Sequence, residues 1–166
     1  MIARYSSRPF PRYRYIPGRS PHPVRDPDGH SFGHSPAPLE YFSGIEWQTC
    51  PEYLYGIDLF NHQYWWEAHE ALEQCWVAAG RTTETGLFLQ GLIQIAVACL
   101  KFEQGFTDVA QRMAEEGLAK FPADRGRMLG ISTRDLWRDI QEYLLGTAPA
   151  PGIRLEDATG QLSQPG

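Results

Sequence analysis

His69, Glu70 and Glu73 stand close together in one stretch of the chain, running from Asp58 to Trp76. Their spacing carries the argument. An α-helix turns about 100° per residue, so residues four apart share a face. If the stretch is helical, the His69 ring and the Glu73 carboxylate meet. A carboxylate beside an imidazole orients the ring and raises its pKa, which is the arrangement of a general base. The same pair can reach one metal ion, with His62 or Glu70 as a third ligand. The order of residues is not His-Glu-x-x-His, and no second helix repeats a Glu-x-x-His pattern. No metal ligand set and no cofactor are therefore assigned. No Ser or Cys stands nearby as a nucleophile. His69, Glu73 and Glu70 are the candidate catalytic residues.

The elements around them are predicted as follows. One helix runs from about Asn61 to Ala79, with Asn61 as its N-cap, since an Asn side chain accepts from the free amides of a first turn. Trp65, His69, Leu72 and Trp76 share the inward side, and Glu70 lies at its edge beside Trp66. Glu67 and Gln74 are expected to face water. A second helix, from about Glu84 to Gln104, is apolar nearly all round and belongs in the middle of a bundle. Its polar stripe is Gln90, Gln94 and Lys101. A buried amide left without a partner costs about 1–3 kcal/mol, and facing His69 and Glu73 would satisfy both glutamines. The expected pocket thus joins His69, Glu70, Glu73, Gln90 and Gln94, with Asn61 at its entrance and Trp65, Trp66 and Trp76 as walls. The plainer alternative is a hydrogen-bond network that pins two helices in register, with the tryptophans as ordinary core.

Phe60-Asn61, Tyr64-Trp65-Trp66-Glu67-Ala68-His69-Glu70 and Leu72-Glu73 with Trp76 resemble the signature of the domain of unknown function 309 family. Phe88-Leu89-Gln90-Gly91-Leu92-Ile93-Gln94 resembles that family's second motif. The likeness covers roughly residues 53 to 121. It implies a small all-helical domain and no established activity. Family members often carry His near the end of the second motif helix, where this chain has Lys101, so a site that needs a second imidazole departs from that pattern.

The chain divides into three parts on composition. Residues 1–46 are an arm whose prolines forbid long helices and central strands. Phe10, Tyr13, Tyr15, Ile16 and Phe32 give it apolar groups that suit a strap lying across a bundle. Residues 47–146 form the helical bundle. Its first helix is expected over 47–60, its fourth from Thr107 to about Phe121, and its last from a Ser132 cap to about Leu145. Residues 147–166, rich in Pro, Gly and Ser, read as a flexible tail in which Ile153 and Leu155 can dock. The fold class is all-α, about five helices with an extended Pro-rich N-terminal arm.

Charge is uneven: six arginines oppose two aspartates up to His34, and nine basic residues oppose eighteen acidic ones thereafter. An acidic body argues against nucleic acid as partner, and the basic arm is expected to lie on its own domain. No apolar run reaches the roughly 18 residues that span a bilayer, so no membrane partner is expected. No secretory segment follows Met1, which points to a cytoplasmic protein. Cys50, Cys75 and Cys99 are odd in number, far apart and without a Cys-x-x-Cys, the pattern of reduced and inert thiols. His22, Asp26, His30 and His34 sit in a turn-rich loop whose spacing matches no zinc signature. Asp26-Pro27-Asp28-Gly29 is a strong β-turn signal in its own right.

Three functional classes follow. The first is a structural or small-molecule-binding helical domain using the His/Glu/Gln pocket. The second is a small hydrolase-type enzyme with His69 and Glu73 as acid–base pair or metal ligands. The third is a scaffold working through exposed apolar area on the last two helices.

Overall fold

The computed structural model of the protein describes residues 4–156. Five helices make the body: α1 (Pro51–Asn61), α2 (Trp65–Ala79), α3 (Glu84–Glu103), α4 (Thr107–Leu118) and α5 (Thr133–Leu144). A 3₁₀ turn, Trp47–Thr49, precedes α1. Two two-residue strands, β1 (Arg127–Met128) and β2 (Ile131–Ser132), pair antiparallel within the loop before α5. The fold is all-α, and that small hairpin is the departure from the expected plain loop.

Local chemistry explains most helix ends. Pro51 sits at the start of α1, where its missing N–H costs nothing. Thr83 caps α3 by accepting from the Gly86 amide, and Ser132 caps α5 by accepting from the Asp135 amide. Gly80, Gly105 and Gly146 take positive φ just past α2, α3 and α5. The α1–α2 junction does not follow expectation. Asn61 is the last residue of α1 rather than the cap of α2, which starts four residues later. The chain reverses through His62 and Gln63, with Gln63 at φ 64°. His62 closes α1 and so is not a helical neighbour of His69.

α3 packs between α2 and α4. Its buried residues, among them Phe88, Leu92, Ile95 and Cys99, cover most of its circumference, as its composition requires. By length and composition alone α3 would also pass for a membrane span. Its contacts with α2 and α4 give it the place of a central core helix. α3 and α4 approach closely at two glycines: a Cβ on Gly91 would lie 2.6 Å from the Gly117 carbonyl oxygen.

The arm lies against α1 and α2. Tyr55 and Tyr64 donate to the Pro9 and Pro11 carbonyls. Phe10 stacks on Tyr64 with centroids 5.1 Å apart. Arg14 reaches Glu103 at 3.0 Å and the Gln63 carbonyl at 2.9 Å. At the other end of the chain, Ile153 and Leu155 are buried, and Leu155 bridges to Ile131. The rest of the C-terminal tail, 157–166, lies outside the described residues, as do 1–3.

Candidate functional site

The core stripe of α2 is Trp65, Ala68, Leu72 and Cys75. His69 lies one step round from it, on the flank of the helix, with 26% of its side chain exposed. Glu70 and Glu73 are more open still. His69 Nδ1 is 3.2 Å from Glu70 Oε1, and Nε2 is 3.9 Å from Glu73 Oε2. The two carboxylates thus address opposite sides of one ring. Nδ1 itself is buried and lacks a well-aligned hydrogen bond, so its tie to Glu70 is an ion-pair distance only. Burial works to lower the imidazole pKa. The neighbouring Glu70 carboxylate, followed by Glu73, outweighs it, and the net direction is upward. Donor atoms of His69, Glu70 and Glu73 all lie within 4.8 Å of one another, close enough to converge on one cation after small side-chain rotations.

The expected partnership with α3 does not form. Gln94 turns the other way and pairs with α4: it accepts from Lys120 Nζ at 2.7 Å and donates to Glu116 at 3.4 Å. The Gly91–Gly117 approach places α4, not α2, beside that polar stripe. Among the described residues, no hydrogen bond joins Gln90 or Gln94 to His69 or Glu73. Trp65 is wholly buried against Phe60, which matches the core reading. Trp76 is half-buried beneath the Arg81 guanidinium. Trp66 meets the arm, with Tyr15 and His22 edge-on to it.

A second face of α2 proves more telling. Glu67, Glu70, Ala71 and Gln74 fall at helical spacing on the side facing the arm. Glu67 was expected in water and is instead 5% exposed. Its Oε1 accepts from the Tyr15 amide at 2.8 Å and lies 2.8 Å from His30 Nε2. His30 Nδ1 is held in turn by Ser31 Oγ at 2.8 Å. The other carboxylate oxygen, Oε2, is buried with no hydrogen-bond partner. The turn at Asp26–Gly29 aims His30 here: the Gly29 amide donates to Asp26, and the Ser31 amide donates to Pro23. The remaining loop groups serve the loop itself. His22 accepts from the Val24 and Arg25 amides, and Asp26 accepts from the Asp28 amide.

Between the arm and this face runs a cleft of about 480 Å³. Trp66, Tyr55 and Leu59 supply apolar wall, and Glu52, Glu67 and Glu70 supply carboxylates. Arg8 is the one arginine on its lining, and its guanidinium lies 4.5 Å over the Tyr55 ring. Glu70 belongs both to the cleft and to the His69 cluster.

Two further polar side chains of α1 hold the ends of the chain. Asp58, fully buried, accepts from the Tyr5 amide at 2.7 Å and from the Ser6 amide and hydroxyl at 2.8 Å, with Arg4 beside it. Asn61 pairs both ways with Ile153, accepting from its amide at 2.6 Å and donating to its carbonyl at 2.8 Å. It is therefore a clamp on the C-terminal segment and does not stand at a pocket entrance.

Residues 53–113 match the family model described as Domain of unknown function (DUF309). The match covers 61 of the chain's 166 residues. No curated protein matches the chain. The matched stretch contains Asp58, Asn61, Glu67, His69, Glu70 and Glu73, and it ends within α4. The partners of Asp58, Asn61 and Glu67 lie outside it, in the arm and in the C-terminal segment. Glu67 and Asp58 are the residues that sequence reasoning missed. The signal was a Pro-rich arm with aromatic groups: its unpaired amides need acceptors, and buried carboxylates on the facing helices supply them.

Proposed function

We propose that the helical domain and its arm form a small-molecule-binding unit, with the arm-facing cleft as its site. The ligand class is a small molecule carrying a protonated amine on an apolar body. One observation carries this reading: Glu67 Oε2 is buried at the cleft without a donor. A buried polar atom without a partner costs on the order of 1–3 kcal/mol, more when charged, and an ammonium group would meet it. The acidic lining and the aromatic walls suit such a molecule. The volume falls within the roughly 300–1,000 Å³ common for ligand sites.

The test is thermal unfolding of the full chain against a panel of primary amines and the matching carboxylic acids. Amines should raise the midpoint and acids should not. Glu67→Gln should abolish the shift. Because Glu67 also holds the arm, Glu70→Gln at the rim serves as a second variant and should weaken the shift without loosening the arm. Equal stabilisation by acids, or full retention in Glu67→Gln, would refute the reading.

One observation favours a second reading, in which His69, Glu70 and Glu73 bind a divalent cation or act as an acid–base group: their donor atoms converge within 4.8 Å. Calorimetric titration with Zn²⁺ decides the metal form of it. Binding should be stoichiometric in the wild type and lost in His69→Ala. The scaffold reading lacks comparable support, since no large apolar side chain within α4 or α5 is among the exposed ones; Phe106 and Leu145 merely flank them.

A further inference from the structure

The turn-rich loop of the arm completes a group of polar side chains distinct from the His69 cluster, and its members are joined in series. Ser31 Oγ lies 2.8 Å from His30 Nδ1, and His30 Nε2 lies 2.8 Å from Glu67 Oε1. The imidazole and the carboxylate are shut off from water, with 4% and 5% of their side chains exposed. Ser31 is half-buried, and all three residues line the cleft between the arm and α2. The proton order follows from the partners. A carboxylate only accepts, and Glu67 Oε1 already accepts from the Tyr15 amide at 2.8 Å. Nε2 therefore carries the ring proton and donates to Glu67. The neutral ring keeps a lone pair at Nδ1, and the Ser31 hydroxyl donates to it.

Backbone bonds fix the loop that presents these groups. The Ser31 amide donates to the Pro23 carbonyl at 2.9 Å, and the Ser31 carbonyl accepts from the His34 amide at 3.0 Å. The Tyr13 hydroxyl accepts from the His30 amide at 3.2 Å and donates to the Pro21 carbonyl at 2.8 Å. The Tyr13 ring stands 4.7 Å from the imidazole, centroid to centroid. The imidazole is thus held between Tyr13, Ser31 and Glu67. A hydroxyl bonded to an imidazole that a buried carboxylate orients is the arrangement that activates a serine as a nucleophile. The ring nitrogens are used in the reverse sense of the familiar serine hydrolases, where the hydroxyl meets Nε2. Either nitrogen can take the proton, because both belong to one conjugated ring. A purely structural network has no need of an opening beside its hydroxyl, whereas Ser31 lines a cleft.

We propose that Ser31, His30 and Glu67 form a hydrolytic centre for small carboxylic esters, with Ser31 as nucleophile, His30 as general base and then general acid, and Glu67 as the residue that positions the ring. The preference for a substrate that also carries an amine rests on the ligand class inferred above. The Ser31 hydroxyl attacks the ester carbonyl. An Oγ–C bond forms, the hydroxyl proton passes to His30 Nδ1, and the carbonyl π pair moves onto its oxygen. Arg8, on the same lining, supplies positive charge toward that oxyanion. On collapse the C–O bond to the alcohol breaks, and the alcohol leaves with the proton from Nδ1. Water then attacks acyl-Ser31 and gives a proton to Nδ1. The bond to Oγ breaks, the carboxylic acid departs, and Nδ1 returns its proton to Ser31. Ester and water give acid and alcohol, with water as the only co-reactant. Glu67 Oε1 faces the imidazolium in both halves of the cycle, while Oε2, which lacks a donor, is free for the amine of the substrate.

The experiment treats the full chain with a fluorophosphonate, which phosphonylates activated serines, and maps the adduct by peptide mass spectrometry. Cleavage of p-nitrophenyl hexanoate and p-nitrophenyl aminohexanoate is followed beside it, each rate taken relative to spontaneous hydrolysis. The expected adduct is on Ser31 and is lost when the chain is unfolded in urea before exposure. Ser31→Ala should abolish the adduct and the esterase activity, with circular dichroism and the thermal midpoint unchanged. His30→Gln should slow labelling by about a hundred-fold or more, the range a general base contributes. Glu67→Gln should lower kcat on the hexanoate by about ten-fold or more with little change in KM, and Glu67→Asp should recover part of that rate. The amine-bearing ester should show the higher kcat/KM. An adduct on Ser35 in place of Ser31, equal labelling of folded and unfolded chains, or Ser31 labelling that His30→Gln leaves unchanged would overturn the proposal. No Ser31 adduct in a protein that amines still stabilise would overturn the hydrolytic centre and leave the binding reading standing. A Ser31 adduct with both esters cleaved equally would support the centre and count against the amine.

Discussion

Asn61→Asp separates two roles for one motif residue. As a helix N-cap, Asn and Asp are about equivalent, and the exchange would change stability by less than about 0.5 kcal/mol. As a clamp, the change should be costly. The Asn61 side chain donates to the Ile153 carbonyl at 2.8 Å and accepts from the Ile153 amide at 2.6 Å. Both residues are buried, at 7% and 2% exposure. A carboxylate keeps the acceptor and replaces the donor with a second oxygen. The Ile153 carbonyl then loses its bond and faces a negative charge in a site closed to water. An unmet buried carbonyl costs about 1–3 kcal/mol, and the partly buried charge adds to it. The expected loss is about 2–4 kcal/mol, or roughly 5–15 °C in the unfolding midpoint for a chain of this size. Urea unfolding followed by tryptophan fluorescence at neutral pH measures it, and hydrogen exchange at the Ile153 amide localises it. The introduced carboxyl should titrate above its unfolded value of about 3.9, since its protonated form can donate to the carbonyl. A raised folded pKa gives a stabilising contribution that is complete in acid and lost as pH rises through it. The deficit should therefore narrow at low pH. A loss below about 0.5 kcal/mol at neutral pH, with unchanged exchange at Ile153, would refute the clamp.

Three other outcomes are expected. Asp58→Ala leaves the Tyr5 amide and both Ser6 donors without their acceptor; trypsin should cut at Arg12 or Arg14 several-fold faster than in the wild type, with far-ultraviolet circular dichroism unchanged. Gly117→Ala would set a Cβ 2.7 Å from the Gly91 carbonyl oxygen and 3.2 Å from Gln94 Cβ, forcing α3 and α4 apart. Overpacking of this kind costs about 1–3 kcal/mol, partly offset by the better helix propensity of Ala, so denaturation should show a net loss of about 1–2 kcal/mol. The His69 imidazole should titrate above the ordinary 6.5 by nuclear magnetic resonance, and below the wild-type value in Glu70→Gln, where burial faces weaker opposition. Since a raised histidine pKa stabilises below the unfolded value and ceases to as pH rises through the folded one, the wild type should lead that variant by more at pH 5.5 than at pH 8.5.

What was legible in the chain divides by the range of the interaction. Helix existence and ends rest on neighbours a few residues apart, and Thr83, Ser132 and the glycines after three helices announce them locally. The central place of α3 follows from its apolar girth alone. The polar side chains are different, because their partners come from remote segments: Asn61 and Ile153 are 92 residues apart in sequence, and Asp58 and Ser6 are 52 apart. A helical wheel sorts a carboxylate toward water by type. It has no knowledge of an arm bringing amides to the same place, so Glu67 was put on the wrong side. Gln94 shows a nearer miss. Its amide is only half-buried and finds its partners on α4 rather than α2, and the glycine pair Gly91 and Gly117 was the clue that α4 comes close.

That division bears on what the functional unit is. Asp58, Asn61 and Glu67 lie within residues 53–113, and everything they bind lies outside. Without the arm and the C-terminal segment, the DUF309 stretch would hold two carboxylates and an amide set for partners it does not contain. Their burial in a bare helical core would cost several kcal/mol, so the stretch by itself would either expose that face or bind something over it. The arm supplies the cover here and, in doing so, forms one wall of the cleft. A ligand in that cleft would touch both parts at once and so tighten the arm on the helices. Binding and arm order are then two readings of one equilibrium: any molecule that fills the space beside Glu67 should slow proteolysis of the arm in proportion to its occupancy.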